Sequence, residues 1–117
     1  MGDWLVSVEI YANDLCDILR PTRYRIGDSP AQREDIIESN VTLHIEHING
    51  NLLATVIGTM PQASHVARVP FGRNVDTQYV IVRHSDARRF RILDARKVGN
   101  PLRPDHWLCI LQEQPAG

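Results

Sequence analysis

Alternation of apolar and polar side chains is the dominant pattern along this chain. Residues 4–11 carry an apolar side chain at every second position, as a half-buried strand does. Asn49-Gly50 separates two further stretches rich in apolar residues, and this dipeptide tolerates the positive φ angles of a type I′ turn. We therefore expect a first strand followed by a β-hairpin over residues 41–59. Further strands are predicted at residues 65–70, 77–84, 89–94 and 106–111.

Two helical segments are predicted between the first strand and the hairpin. Asn13 can cap a short helical turn, which Pro21 must end because proline cannot continue a helix. A longer helix is predicted over residues 30–39. Ser29 at its cap and Pro30 at its first helical position suit the free amide groups of a helix start.

These elements indicate a mainly β fold. About six to seven strands with one short helix near 30–39 are typical of a small antiparallel β-barrel or sandwich. Residues 68–76 and 99–104 are predicted as loops, because proline, glycine and asparagine interrupt the strand pattern there. With 117 residues, 43% of them apolar and 23% charged, the chain is expected to form a single domain, 1–117, around one core.

The sequence does not predict a secretory signal or a membrane span. The opening Met-Gly-Asp-Trp lacks the basic and apolar regions of a secretory signal, and no apolar run approaches the about 18 residues that a membrane span needs. A cytoplasmic protein without a membrane partner is therefore expected. Cys16 and Cys109 are too few for a disulfide framework, and we expect both to be ordinary buried thiols.

The residues that most often carry chemistry do not form a recognisable catalytic or metal-binding pattern. His44 and Glu46 point to one side of a strand and His47 to the other, so the three cannot meet on one ion. The run His-Ser-Asp at 84–86 is expected to be a polar turn, because adjacent side chains rarely adopt the geometry of a catalytic triad. Glycine-rich phosphate-binding loops are also missing. We therefore predict no enzyme activity, no metal and no cofactor.

Charge is distributed unevenly along the chain. Residues 1–64 hold nine acidic and four basic side chains, whereas residues 65–117 hold five acidic and nine basic ones. Such polarity suits a subunit whose acidic side meets the basic side of a neighbour, a contact that closes into rings. The alternative is a solvated arginine face, paired with acids of the N-terminal half. The candidates for an interface or for non-specific contact with DNA phosphate are Arg73, Arg83, Arg88, Arg89 and Arg91.

A family resemblance covers the C-terminal third of the chain. Residues 87–113 read ARRFRILDARKVGNPLRPDHWLCILQE, and residues 79–83 supply a strand before them. The patterns R-x-F-x-I and W-L-x-I-L-x-E resemble the end of the small head-closure proteins of tailed phages, also called head-tail joining or stopper proteins. The resemblance implies a β-barrel subunit of a homo-oligomeric ring, bound to portal and tail proteins around the DNA channel. It also implies a place in the virion after assembly in the host cytoplasm.

Two other classes stay open. The opening Gly-Asp-Trp-Leu-Val, with Arg20-Pro21 and His65-Val66, loosely resembles ribonuclease toxins of the MazF type, which cleave RNA without a metal. In that reading Arg20 and Thr59 match the residues that act at the RNA phosphate. An immunity or inhibitor protein that binds through its acidic half is the third class.

Overall fold

Six antiparallel strands make up the regular structure of the described residues. The computed structural model describes residues 14–48, 60, 62–100 and 102–115. Within these residues there is no helix, and so none that is long and apolar enough to cross a bilayer. The strands are β1 (Asp14–Ile26), β2 (Ser29–His47), β3 (His65–Pro70), β4 (Val80–Arg83), β5 (Arg89–Asn100) and β6 (Arg103–Gln114). The prediction of a mainly β fold is thus confirmed.

The strands form one sheet that closes on itself. Their order is β1-β2-β3-β6-β5-β4, and β4 pairs with β1 as well as with β5. Ile81 of β4 lies opposite Ile18 on one side and opposite Phe90 on the other, and all three side chains are fully buried. The inward faces of the strands therefore supply the core. Its other fully buried members include Val41, Leu43, Val69, Ile92 and Leu111.

The strands of the C-terminal half lie where the alternation predicts them, but some differ in length from the predicted strands. The predicted strand at 65–70 coincides with β3. β4 is shorter than the predicted 77–84, whereas β5 and β6 are longer than predicted. They are longer because the predicted loop at 99–104 largely continues the ladder, with Gly99 opposite Pro104. The predicted first strand at 4–11 and the turn at Asn49-Gly50 lie outside the described residues.

The predicted helices are wrong. Residues 30–39 lie within β2, and the turn of helix predicted after Asn13 lies within β1. The physical reason is a tight turn at Gly27-Asp28, where Gly27 has a positive φ of 62° that suits glycine. Ile26 and Ser29 pair across this turn, so Ser29 continues a hairpin instead of capping a helix.

The outer part of this hairpin extends beyond the closed sheet. Pairing between β1 and β4 ends at Leu19 opposite Val80, and from Arg20 onwards β1 pairs only with β2. We call residues 20–35 the hairpin arm. Its seven-residue β1 strand spans about 23 Å at roughly 3.3 Å per residue. The molecule is accordingly elongated, with principal extents of 60 × 31 × 30 Å.

Two prolines lie on the open edges of the arm. Pro21 lies opposite Glu34, and Pro30 lies opposite Arg25. Proline has no N–H to donate, so strand pairing tolerates it where its nitrogen faces away from the paired strand. Because pairing continues through both positions, each open edge of the arm lacks a backbone donor. Both edges are therefore poor templates for a further strand.

A short loop joins β4 to β5. The N–H of Arg83 donates to the carbonyl of Arg88 (2.9 Å), and the N–H of Ala87 donates to the carbonyl of Arg83 (2.8 Å). Ala87 has a positive φ of 58°, a conformation that its Cβ disfavours. The loop is therefore closed by hydrogen bonds at the cost of strain at one alanine.

We predict that Ala87→Gly stabilises the protein by about 0.5–1 kcal/mol. Loss of the Cβ relieves roughly 1–2 kcal/mol of strain, while the extra freedom of glycine in the unfolded chain costs about 0.4–1 kcal/mol. Urea unfolding measures the difference. Ala95→Gly, in β5 and without a positive φ, is the matched control and should lose about 0.5–1 kcal/mol. A loss of stability in Ala87→Gly would contradict the assignment of strain to this position.

Candidate functional site

The candidate arginines fall into separate groups on the molecule. Arg89 and Arg91 point outward from β5, because Phe90 and Ile92, which alternate with them, are fully buried. This agrees with the strand predicted at residues 89–94, whose alternation puts Arg89 and Arg91 on one face. Arg83 and Arg88 instead lie at one end of the closed sheet, and Arg73 lies in the segment that joins β3 to β4. The five arginines therefore do not form one continuous basic stripe.

Arg83 and Arg88 cover the end of the core and are held by carboxylates. Their guanidinium carbons lie 5.4 Å and 5.8 Å from the centre of the Phe90 ring. Arg83 donates from Nε and Nη2 to Asp86 (3.1 and 2.8 Å), and Arg88 donates from Nε and Nη2 to Glu113 (2.6 and 2.5 Å). The hydrogen bonds from Arg83 lower the pKa of Asp86 to about 2. Both arginines are thus neutralised where they lie.

Other ion pairs join the two halves of the chain. Arg73 Nη1 lies 3.3 Å from Glu38 Oε1, and Arg89 Nη2 forms an ion pair with Glu34. His84 Nε2 lies 2.9 Å from Asp17 Oδ1. The acids of the N-terminal half are therefore partly neutralised by arginines of the C-terminal half within one molecule, so we base no intermolecular contact on the charge polarity of the sequence.

A groove of about 440 Å³ separates the base of the hairpin arm from the outer face of β4 and β5. Arg91 donates from Nη2 to Gln112 (2.6 Å), while its buried Nε has no acceptor among the residues that the structure describes. Arg23 is exposed and makes no ion pair within the described part of the chain. The groove therefore combines unused hydrogen-bond donors with one internal ion pair. We call it the arginine groove, and its lining includes Arg23, Gln32, Glu34, Gln78, Arg89 and Arg91.

Sequence reasoning did not select Glu34 as a site residue, because it assigned residues 30–39 to a helix, and it did not select Arg23, because it placed no strand there. The signal that places them is Gly27-Asp28. Counting back from a two-residue turn puts Arg23 opposite Gln32, two positions from Glu34, and therefore on the same face of the arm.

The tip of the arm exposes apolar side chains. Tyr24 is 43% exposed and Ile26 is 66% exposed, and their spacing of two residues puts both on one face. Ala31 lies opposite Tyr24, and Ser29 lies opposite Ile26. This face therefore presents an apolar surface bordered by small residues.

The histidines and the polar turn take the positions that the alternation predicts. His44 lies near Glu46, with 3.8 Å between Nε2 and Oε2, whereas His47 contacts the ring of His65 at 5.0 Å on the other face. Residues 84–86 form a turn in which His84 contacts Asp17 and not the neighbouring Asp86. Nowhere in the described ranges do three or more His, Cys, Asp or Glu side chains gather as metal ligands would.

The remaining candidates for chemistry are the two cysteines and the residues Arg20 and Thr59, which match the ribonuclease toxins. Cys16 and Cys109 are fully buried, and burial raises the pKa of each thiol to about 12. Both are therefore protonated near neutral pH, and a protonated thiol is a poor nucleophile. Arg20 is exposed at the base of the arm, and Thr59 lies outside the described residues.

No protein-family model matches the chain, and no curated protein matches it either. The site must therefore be interpreted from its own geometry.

We predict that acid destabilises the protein partly through His65. Burial lowers the pKa of His65, so as the pH falls through the ordinary histidine pKa near 6.5 the unfolded chain binds more protons than the folded protein. The free energy of unfolding should therefore fall as the pH falls through this value. His65→Gln should show a shallower fall, measured by urea unfolding at several pH values. An identical slope in both proteins would contradict this role of His65.

Proposed function

We propose that the protein is a structural assembly subunit of the head-tail connector type of tailed phages. It forms a ring around the DNA channel, binds neighbouring portal and tail proteins, and resides in the virion after assembly in the host cytoplasm. The resemblance of residues 87–113 supplies this class of protein. The observation that carries the proposal is the hairpin arm, a long extension with apolar side chains that the rest of the described chain does not cover.

An isolated two-stranded hairpin is marginally stable in water, so an arm of this length gains from a surface to pack against. Tyr24 and Ile26 supply that surface, because burial of one large apolar side chain contributes about 1.5–3 kcal/mol. The groove beneath the arm is polar and does not bury them. A neighbouring protein chain is therefore the partner that we assign to the tip of the arm.

The form of the contact follows from the backbone. In the closed part of the sheet every strand pairs on both sides, which leaves no open edge there for a neighbour. Pro21 and Pro30 also obstruct pairing along the edges of the arm. Side chains on the face of the arm, and not added strands, then make the contact between subunits.

Contact with DNA is a weaker part of the proposal. Arg73 and Arg88 keep 43% of their side chains exposed although each is paired with a glutamate. Guanidinium groups of this kind can exchange a carboxylate for a phosphate, which gives contacts that do not depend on DNA sequence and weaken in salt. We assign such contacts to DNA inside the ring.

We predict that Tyr24→Ser combined with Ile26→Ser weakens self-association about a hundredfold, because two apolar side chains lose their burial in the contact. Light scattering over a range of concentrations, with and without portal protein, measures the mass. The control is Leu15→Ser, since Leu15 is also 43% exposed but lies in the closed part of the sheet. Leu15→Ser should assemble as the wild type does.

Two results would contradict the proposal. One is a protein that stays monomeric at every concentration and does not bind portal protein. The other is cleavage of RNA without a metal, lost in Arg20→Ala, which would support the ribonuclease class instead.

A further inference from the structure

The two walls of the arginine groove are fixed by contacts that are separate from the apolar tip of the arm. Glu34 of the arm and Arg89 of β5 form an ion pair across it, which ties the base of the arm to the sheet. Gln78 lines the groove with a positive φ of 72°, and its N–H donates to the carbonyl of Ile92 (2.8 Å). A residue other than glycine adopts this conformation only where the surroundings enforce it. The walls of the groove are therefore held from both sides.

The described lining of the groove carries more positive than negative side chains. Arg23, Arg89 and Arg91 contribute three positive charges, and Glu34 is the acidic residue in the lining. Arg89 uses this carboxylate, so Arg23 and Arg91 keep N–H groups without a negatively charged partner among the described residues. The buried Nε of Arg91 has no acceptor in that part of the chain either, and an unsatisfied buried donor is unfavourable. An incoming acceptor that draws the Arg91 side chain outward would remove this deficit.

The lining favours carboxylate over nucleic acid as the source of that acceptor. The groove already accommodates one carboxylate, that of Glu34, in an ion pair with an arginine. No aromatic side chain is part of the described lining, so the groove lacks the platform on which the bases of a single strand stack.

We infer that the arginine groove binds a carboxylate-rich segment of a protein partner, with Arg91 and Arg23 donating to its acidic side chains beside the internal Glu34–Arg89 pair. Arginine suits this task because its planar fork matches a carboxylate. The inference goes beyond the proposed function, because an acidic segment can bind here whether or not the protein forms a ring.

The test is a titration of the intact protein with fluorescein-labelled hexaglutamate, followed by fluorescence anisotropy at low salt. Arg91→Gln should weaken binding about tenfold, and the more exposed Arg23→Gln should weaken it about threefold. Glu34→Gln should strengthen binding about threefold or more, since it frees Arg89. Because these variants change affinity in opposite directions, unfolding cannot account for all of them.

The Arg73–Glu38 pair provides matched controls, because it is an exposed arginine–glutamate pair outside the groove. Arg73→Gln and Glu38→Gln change the net charge as the groove variants do. Each should leave the dissociation constant within about twofold of the wild-type value. Raised salt should weaken binding of hexaglutamate to the wild type, as expected of partly exposed charges.

Three outcomes would overturn the inference. Absence of saturable binding at about 1 mM hexaglutamate would show that the groove does not hold carboxylates. Equal losses in Arg73→Gln and Arg91→Gln would show attraction by overall charge. Tighter binding of labelled hexathymidylate than of hexaglutamate would identify a nucleic-acid site. None of these results bears on ring assembly, which depends on the tip of the arm.

Discussion

The pairing of β4 with both β1 and β5 is the constraint on which the rest of the structure depends. β4 has only four residues, yet it joins the first strand of the described chain to the C-terminal hairpin of β5 and β6. Through it, Ile18 and Phe90 face the same interior on either side of Ile81. Without β4 the sheet would have two open edges and an exposed core. The first residue of β4, Val80, pairs with Leu19 and so also defines where the hairpin arm begins.

The parts of the fold that could be predicted are those with a local cause. Alternation placed β3 and the buried positions of β5 correctly, because each strand has one face toward the core. Residues 30–39 were assigned to a helix because Ser29 and Pro30 suit a helix start, whereas the two-residue turn at Gly27-Asp28 continues the chain as a strand. Closure could not be predicted, because β1 and β4 meet across some sixty residues of sequence and no local pattern records such a contact.

In the candidate site, too, the features with a local cause could be predicted and the long-range contacts could not. The common outward face of Arg89 and Arg91 follows from alternation, and the structure agrees. The ion-pair partners of the candidate arginines do not follow from the sequence, since Glu34 lies 55 residues from Arg89 and Glu38 lies 35 residues from Arg73. Charge totals for each half of the sequence indicated polarity, but folding brings the two halves together and removes much of it. A charge pattern along a chain is therefore weak evidence about a surface until the strand pairing is known.

The two buried thiols have a practical consequence. Cys16 and Cys109 are inaccessible and carry raised pKa values, so maleimide and similar reagents should not react with them in the folded protein. A single cysteine introduced at an exposed position would then be the one site to accept a fluorescent or spin label. Distances and motions of the arm become accessible to spectroscopy in an otherwise unaltered chain.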